Sequence, residues 1–263
     1  MYKLIALDID GTLLNREHEI SDETIDTIKE SMDKGIKIIL VSGRDYSAAE
    51  PYIKKLETKD LFLGLNGANI YDNEGKIIHS EYLDKEIVEY IIELCEKEDI
   101  YIVLFIENNT YVNEISDFMG IDNYVFNSIE VGQISKFYKE QNVTKILLTH
   151  KEEKLIPIKE KLDSKYGSKI NSQFSLPQFL EIFNGKINKG VALKRICEKY
   201  KIPKENVMAI GDWDNDITMI KYAGLGIAMG NGSENIKEAA DFITNSNEEN
   251  GAAYAIKKFV LRK

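Results

Sequence analysis

The feature that most constrains the fold is an apolar run near the start of the chain that ends in two carboxylates. Residues 4–12 read LIALDIDGT. A short, continuous apolar segment is typical of a strand buried on both faces, as in a parallel sheet. Side chains two positions apart on a strand share a face, so we expect Asp8 and Asp10 to converge where the strand ends.

Two converging carboxylates are unfavourable unless something compensates their charge. Like charges about 4 Å apart repel by roughly 4 kcal/mol at an effective dielectric constant of about 20. Hard divalent cations bind through carboxylate oxygens and relieve such repulsion. The motif therefore indicates a metal site at the tip of the first strand.

Strands and helices alternate at both ends of the chain, which predicts an α/β fold. Helices are predicted to separate these strands, starting at residues 22, 45, 189 and 214. Further apolar strands are predicted at residues 36–41, 61–65, 207–210 and 225–229. Such a pattern is typical of a doubly wound, mostly parallel, Rossmann-like sheet with helices on both faces.

The middle of the chain differs because its predicted strands do not end in acidic residues. We interpret residues 84–184 as an inserted α+β domain, and residues 1–83 and 185–263 as a discontinuous core domain. Within the insertion, helices are predicted at 85–97, 134–140 and 152–166, and strands at 101–106, 110–113, 144–149, 169–174 and 179–183.

Three strands of the predicted core sheet end in polar residues. The first ends in Asp8 to Thr12, the second in Ser42-Gly43-Arg44, and a late strand in Gly211 to Asp216. Ligands of open α/β sheets bind outside the carboxyl ends of the strands. A functional site is therefore expected where these three tips meet.

These residues resemble the haloacid dehalogenase superfamily of phosphohydrolases. The match consists of DxDGT at residues 8–12, a Ser-Gly pair after the second strand, a lysine, and GDxxND at residues 211–216. The motif spacing, the turn at residues 66–68 and the large insertion resemble the Cof-type subfamily more narrowly. The resemblance implies a cap domain of the C2 type.

The resemblance implies distinct roles for three aspartates. Asp8 would be the nucleophile that forms an aspartyl-phosphate, and one of its oxygens would bind Mg²⁺. The backbone carbonyl of Asp10 and the carboxylate of Asp212 would complete the protein ligands. The Asp10 side chain would protonate the leaving oxygen and then deprotonate the attacking water.

The resemblance also implies which residues bind the phosphoryl group. Ser42, the Gly43 backbone N–H and Asn215 would contact its oxygens, and Lys189 would supply a fixed positive charge. Lys186 is the neighbouring alternative for that lysine, and the Lys-Gly match favours Lys189. Asp216 is expected to orient Lys189 or a metal-bound water rather than to bind Mg²⁺ directly.

The function that follows is a Mg²⁺-dependent phosphatase of small metabolites, such as sugar phosphates or phosphorylated cofactors. Two alternatives stay open at this point. One is a phosphomutase of the phosphomannomutase type, and the other is a protein that binds a phosphorylated ligand without catalysis. The P-type ATPases, which keep their phosphoaspartate, carry Thr at the position of Asp10. Asp10 therefore favours turnover.

Composition limits the partners and the location. The chain of 263 residues has a net charge of −10, which argues against general nucleic-acid binding. No apolar run approaches the length of a membrane span, so a cytoplasmic protein is expected. The three histidines lack metal-ligand spacing, and the two cysteines lie in helical patterns typical of buried thiols. Oligomeric state is left open.

Overall fold

A computed structural model describes residues 1–116 and 128–263. These residues form two compact units, one built from residues 1–78 and 188–263 and the other from residues 79–187. The insertion predicted at residues 84–184 lies within the second unit, although its residues 117–127 are outside the described part.

The first stretch of the chain alternates strands and helices as predicted. Its helices begin at side-chain caps: Ser21 Oγ accepts the Thr24 N–H (3.2 Å), and Asp45 Oδ1 accepts the Ala48 N–H (2.9 Å). The elements are β1 (Leu4–Leu7), α1 (Asp22–Asp33), β2 (Lys37–Val41), α2 (Tyr46–Leu56), β3 (Phe62–Gly64), β4 (Asn69–Tyr71) and β5 (Ile77–Ser80).

The second unit contains a six-stranded sheet in the order β10-β11-β9-β6-β7-β8. Its elements are α3 (Lys85–Glu98), β6 (Tyr101–Ile106), β7 (Asn109–Val112), β8 (Ser128–Glu130), α4 (Ile134–Phe137), β9 (Lys145–Thr149), α5 (Glu152–Tyr166), β10 (Ile170–Leu176) and β11 (Phe179–Asn184). One face packs on α3 and α5 through a shared apolar cluster. The sequence pattern does not predict strand β8, because it has only three residues and its Ile129 is 41% exposed.

The last stretch returns to the pattern of the first. Its elements are α6 (Lys189–Tyr200), β12 (Val207–Gly211), α7 (Ile217–Tyr222), β13 (Leu225–Ala228), α8 (Glu234–Ala239), β14 (Phe242–Ile243) and α9 (Gly251–Ile256), which continues as a π-helical turn over Lys257–Leu261. The helix predicted from residue 214 begins as a 3₁₀ turn over Asp214–Asp216. There, Asp216 Oδ2 accepts the backbone N–H groups of Asp212 and Trp213.

The first and last stretches share an eight-stranded sheet in the order β14-β13-β12-β1-β2-β3-β4-β5. The pairs from β14 to β3 are parallel, and β4 pairs antiparallel with β3. On β1, Ile5 and Leu7 face one apolar cluster, whereas Leu4 and Ala6 face the other. The central strand is thus buried on both faces, and the predicted doubly wound α/β core is confirmed. The carboxyl ends of β12, β1 and β2 are neighbours.

Candidate active site

The carboxyl ends of β1 and β12 bring three aspartates together. Asp8 follows β1, and its N–H donates to the Ile210 carbonyl of β12 (3.1 Å). Asp212 and Asp216 belong to the loop and turn after β12. One carboxylate oxygen from each of the three lies within 4.8 Å of the others. We call these three residues the acidic cluster.

Lys189 lies against the acidic cluster. It is the first residue of α6. Asn188 caps the N-terminus of this helix, since its Oδ1 accepts the Val191 N–H (2.9 Å). The Lys189 Nζ donates to Asp8 Oδ1 (2.6 Å) and to Asp216 Oδ1 (2.5 Å), and the lysine side chain is only 1% exposed. Lys186, the alternative considered from the sequence, is exposed.

Burial and mutual repulsion perturb the ionisation of this group. The pKa of Asp8 is raised well above its usual range, and burial is the largest cause. The positive charge of Lys189 lowers this pKa, whereas the charges of the other aspartates raise it further. Burial, followed by the charge of Asp216, raises the pKa of Asp212 to about 7. Burial lowers the pKa of Lys189, but the carboxylates of Asp216 and Asp8 outweigh it and raise that pKa above its ordinary value.

The acidic cluster has the chemistry of a site for a hard divalent cation. When all three carboxylates are ionised, they exceed the single ammonium by two negative charges, and each of them offers an oxygen as ligand. Gly11 keeps this space open: its φ is +75°, and a Cβ there would lie 2.2 Å from Asp212 Oδ2. Thr12 Oγ1 donates to Asp212 Oδ1 (3.3 Å).

The side chain of Asp10 is held by Arg44. The Arg44 Nε donates to Asp10 Oδ2 (2.8 Å), and its Nη2 donates to Oδ1 (2.6 Å). The sequence pattern places Arg44 in the loop after the second strand but predicts no role for it. The signal that could have found it is its position directly after the Ser-Gly pair.

Asn66 joins the loop after β2 to the turn after β12. Its N–H donates to the Ser42 carbonyl (2.9 Å), its Oδ1 accepts from Asn215 Nδ2 (3.0 Å), and its amide lies 3.5 Å from where a Cβ on Gly43 would be. Leu65 and Asn66 both adopt left-handed φ values, 51° and 55°. Such backbone strain is found preferentially at functional sites. From the sequence, Asn66 is predicted only as a turn residue.

Asn231 holds the backbone of the loop after β1. Its Nδ2 donates to the Gly11 carbonyl (2.8 Å), and its Oδ1 accepts the Asn247 N–H (2.9 Å). The nearby Asp212 carbonyl accepts the Ser233 N–H (2.9 Å). The loop after β13 therefore fixes two loops of the acidic cluster, a role that no local sequence signal indicated.

The predicted residues thus occupy three connected places. Asp8, Asp212 and Lys189 lie together with Asp216. Asn66 is hydrogen-bonded to Ser42 and to Asn215 and lies next to Gly43, and the Asp10 side chain is bound by Arg44.

Comparison with known proteins identifies the family. Residues 5–256 match the family model described as haloacid dehalogenase-like hydrolase. The chain belongs to this family. The resemblance to the Cof-type haloacid dehalogenase phosphatases is confirmed.

Relatives in this family match over almost their whole length. The 5-amino-6-(5-phospho-D-ribitylamino)uracil phosphatases YitU and YcsE of Bacillus subtilis (strain 168) are each 32% identical, over 97% and 98% of this chain and 97% and 96% of theirs. The crystal structure of a haloacid dehalogenase-like hydrolase from Bacteroides thetaiotaomicron superposes with a TM-score of 0.89 at 32% identity, over 98% of this chain and 99% of that one. The protein is therefore an enzyme, a phosphatase of the haloacid dehalogenase superfamily. In the described ranges, no helix is long and apolar enough to cross a membrane.

Proposed function

We propose that this enzyme is a Mg²⁺-dependent phosphatase that hydrolyses phosphate monoesters of small metabolites through an aspartyl-phosphate. The observation that carries the proposal is the buried Asp8 carboxylate, 2.6 Å from Lys189 Nζ and inside the acidic cluster. A buried carboxylate fixed by a lysine is positioned to attack, and the excess negative charge around it calls for a cation.

The reaction would run in two steps on two aspartates. In the first, an Asp8 oxygen attacks phosphorus, the bond from phosphorus to the ester oxygen breaks, and the Asp10 carboxyl gives its proton to the leaving oxygen. In the second, Asp10 takes a proton from a water that attacks the phosphorus of the aspartyl-phosphate. Inorganic phosphate leaves, and the Asp8 carboxylate is restored.

The donor set suits Mg²⁺, with the side chains of Asp8 and Asp212 and the backbone carbonyl of Asp10 as its protein ligands. When bound, the ion would neutralise charge on the transferring phosphoryl group. Lys189 supplies a second, fixed positive charge. Asp216 holds Lys189 in place, which agrees with an orienting role for this aspartate.

Ser42, Gly43 and Asn215 are proposed to bind the phosphoryl oxygens. Ser42 Oγ accepts the Arg44 N–H (3.1 Å), which leaves its own hydrogen to be donated. Asn215 already donates one amide hydrogen to Asn66, and this bond fixes the orientation of its amide. Ser42 and Asn215 are therefore preorganised as donors before the substrate binds.

The proposed substrates are sugar phosphates or phosphorylated cofactors. Support comes from YitU and YcsE, whose names specify a phosphorylated ribityl compound. Residues 1–83 and 185–263 are proposed as the catalytic core domain and residues 84–184 as the cap domain. The net charge of −10 agrees with a small-molecule substrate rather than a nucleic acid.

The test measures phosphate release from a panel of phosphorylated metabolites, with Mg²⁺ and with EDTA. We expect turnover with Mg²⁺, none with EDTA, and a loss of about 10³-fold or more in Asp8→Asn. Asp26→Asn, an exposed aspartate on α1, is the matched control and should keep wild-type activity. Full activity of Asp8→Asn would refute the nucleophile assignment.

The same assay separates the phosphatase from a mutase. A phosphatase releases phosphate without a bisphosphate activator. If the enzyme instead isomerises a sugar phosphate only when a sugar bisphosphate is added, and releases no phosphate, the phosphomutase alternative is correct.

A further inference from the structure

We propose that Arg44 is a positioning residue for the general acid and base Asp10. The inference rests on the proposed function, which assigns proton transfer to Asp10. The observation that supports it is the contact of the Arg44 guanidinium with both oxygens of the Asp10 carboxylate, at 2.8 and 2.6 Å.

The geometry of this pair allows Arg44 to orient Asp10 without blocking it. A planar guanidinium that contacts both carboxylate oxygens fixes the plane of the carboxylate, which a single contact does not. A carboxylate has about four lone-pair sites, and the two contacts with Arg44 use two of them. One site on each oxygen is left for a leaving group or a water.

Asp10 needs such a partner because its side chain is 49% exposed, whereas that of Asp8 is 6% exposed. Packing alone does not hold a half-exposed carboxylate in one rotamer. Proton transfer in the transition state requires the acid within hydrogen-bond distance of the reacting oxygen. A residue that fixes the carboxylate therefore contributes to the rate without touching the substrate.

Arg44 is itself well placed to act as a fixed support. Its N–H donates to Ser42 Oγ (3.1 Å), and its carbonyl accepts the N–H of Leu65 (2.9 Å), a residue with left-handed φ. Its guanidinium carbon lies 5.5 Å from the centre of the Tyr52 ring. Arg44 thus connects the loop that carries Ser42 to the side chain of Asp10.

The experiment compares two classes of leaving group in the full-length enzyme with Mg²⁺. An alkyl phosphate needs its leaving oxygen protonated, whereas p-nitrophenyl phosphate does not, because p-nitrophenolate is a stable anion. The value of kcat/KM reports the step in which the leaving group departs. The alkyl-to-aryl ratio of kcat/KM therefore measures the contribution of the general acid and is unaffected by a loss of folded protein.

Four variants are measured: Asp10→Asn, Arg44→Ala, Arg44→Lys and the double variant Asp10→Asn/Arg44→Ala. Arg44→Ala should lower kcat/KM by roughly tenfold or more for the alkyl phosphate and by no more than about threefold for p-nitrophenyl phosphate. Arg44→Lys should recover part of the ratio, since lysine keeps the charge but not the two-point contact. The double variant should have the ratio of Asp10→Asn alone, because Arg44 acts through Asp10.

Two outcomes overturn the inference. Equal losses on both substrates, additive with those of Asp10→Asn, would mean that Arg44 acts on the phosphoryl group instead. An unchanged ratio in Arg44→Ala would mean that Asp10 does not depend on Arg44. Arg16→Ala is the matched control, because the side chain of this arginine is 87% exposed and its Nε lies 3.9 Å from Glu248 Oε1; the variant should keep the wild-type ratio.

The Asp10→Asn variant distinguishes failure of the inference from failure of the proposed function. If Asp10→Asn lowers the alkyl-to-aryl ratio and Arg44→Ala does not, only the role of Arg44 is refuted. If Asp10→Asn itself leaves the ratio unchanged, the role of Asp10 in the proposed function is refuted as well.

Discussion

The two compact units each bury a lysine against a carboxylate, but with different charge balance. In the second unit, Lys145 Nζ lies 2.6 Å from Glu181 Oε1, and the rings of Phe105 and Phe183 flank the ammonium at 4.9 and 5.5 Å. In the first unit, Lys189 contacts Asp8 and Asp216, and Asp212 completes the acidic cluster. The Lys145–Glu181 pair has one positive and one negative charge, whereas Lys189 is the single ammonium beside the three carboxylates of the acidic cluster.

This difference separates a structural ion pair from a site prepared for ligands. A buried pair with one charge of each sign has no net charge, so it needs no further ion to neutralise it, whatever its desolvation costs. At Asp8 and Asp212, burial is the largest cause of the raised pKa, and the neighbouring carboxylates raise it further until protons or a cation neutralise the cluster. The excess charge, rather than burial alone, therefore marks the functional site.

Among the tests of this difference between the two units, the largest effect is expected from removing the lysine that contacts the acidic cluster. Lys189→Met should lower kcat/KM by about 10²-fold to 10³-fold, because the fixed positive charge beside the transferring phosphoryl group is lost. Adding Asp216→Asn, which returns the site to its wild-type net charge, should not restore activity, which is measured as phosphate release with Mg²⁺. Recovery of activity in the double variant would mean that Lys189, like Lys145, only neutralises a buried carboxylate.

An effect on stability is expected at the balanced pair. Lys145→Met leaves Glu181 as a buried charge without its ammonium and should lower the free energy of unfolding by about 3–5 kcal/mol. The double variant Lys145→Met/Glu181→Leu removes both charges and should regain most of that loss. Urea unfolding followed by circular dichroism makes the comparison, and a double variant less stable than Lys145→Met would contradict it.

The smallest effect is a pH dependence of the stabilisation by Mg²⁺. The pKa of Asp212 is raised to about 7 in the folded protein, so the stability it contributes is present below the unfolded pKa of about 4 and is lost as the pH rises through about 7. A cation replaces the proton, so Mg²⁺ should raise the melting temperature more at about pH 8 than at about pH 5. Each kcal/mol corresponds to about 2–4 °C in a protein of this size.

The control for this prediction is Asp212→Asn, which has no carboxyl group to titrate at this position. Melting curves with Mg²⁺ and with EDTA should show a weaker pH dependence in the variant than in the wild type. A larger Mg²⁺ effect at about pH 5 than at about pH 8 would contradict the assignment of Asp212 to the cation site.

Most elements of the fold could be predicted because their signals are local. The apolar run of β1, the caps at Ser21 and Asp45, and the helical spacing of α5 all depend on neighbouring residues. Strand β8 was missed because three half-exposed residues carry no periodicity. The start of the helix at Ile217 was misplaced because side-chain bonds from Asp216 tighten the preceding turn.

The sequence predicts which residues form the candidate site better than it predicts the contacts between them. Asp8 and Asp212 were expected together because the carboxyl ends of parallel strands meet at one edge of the sheet. The sequence does not predict the hydrogen bonds from Arg44 to Asp10 or the bond from Asn231 to the Gly11 carbonyl. They depend on where separate loops approach each other, which strand patterns do not encode.

The doubly wound core, the acidic strand tips and the family follow from the amino-acid order alone, since hydrophobic periodicity and motif spacing are properties of the chain. The pairing of the charges follows only from the folded structure. Lys189 reaches Asp8 across 181 positions, and Arg44 reaches Asp10 across 34. Such contacts depend on distances of a few ångströms between loops, and the packing of the sheet and its helices sets those distances.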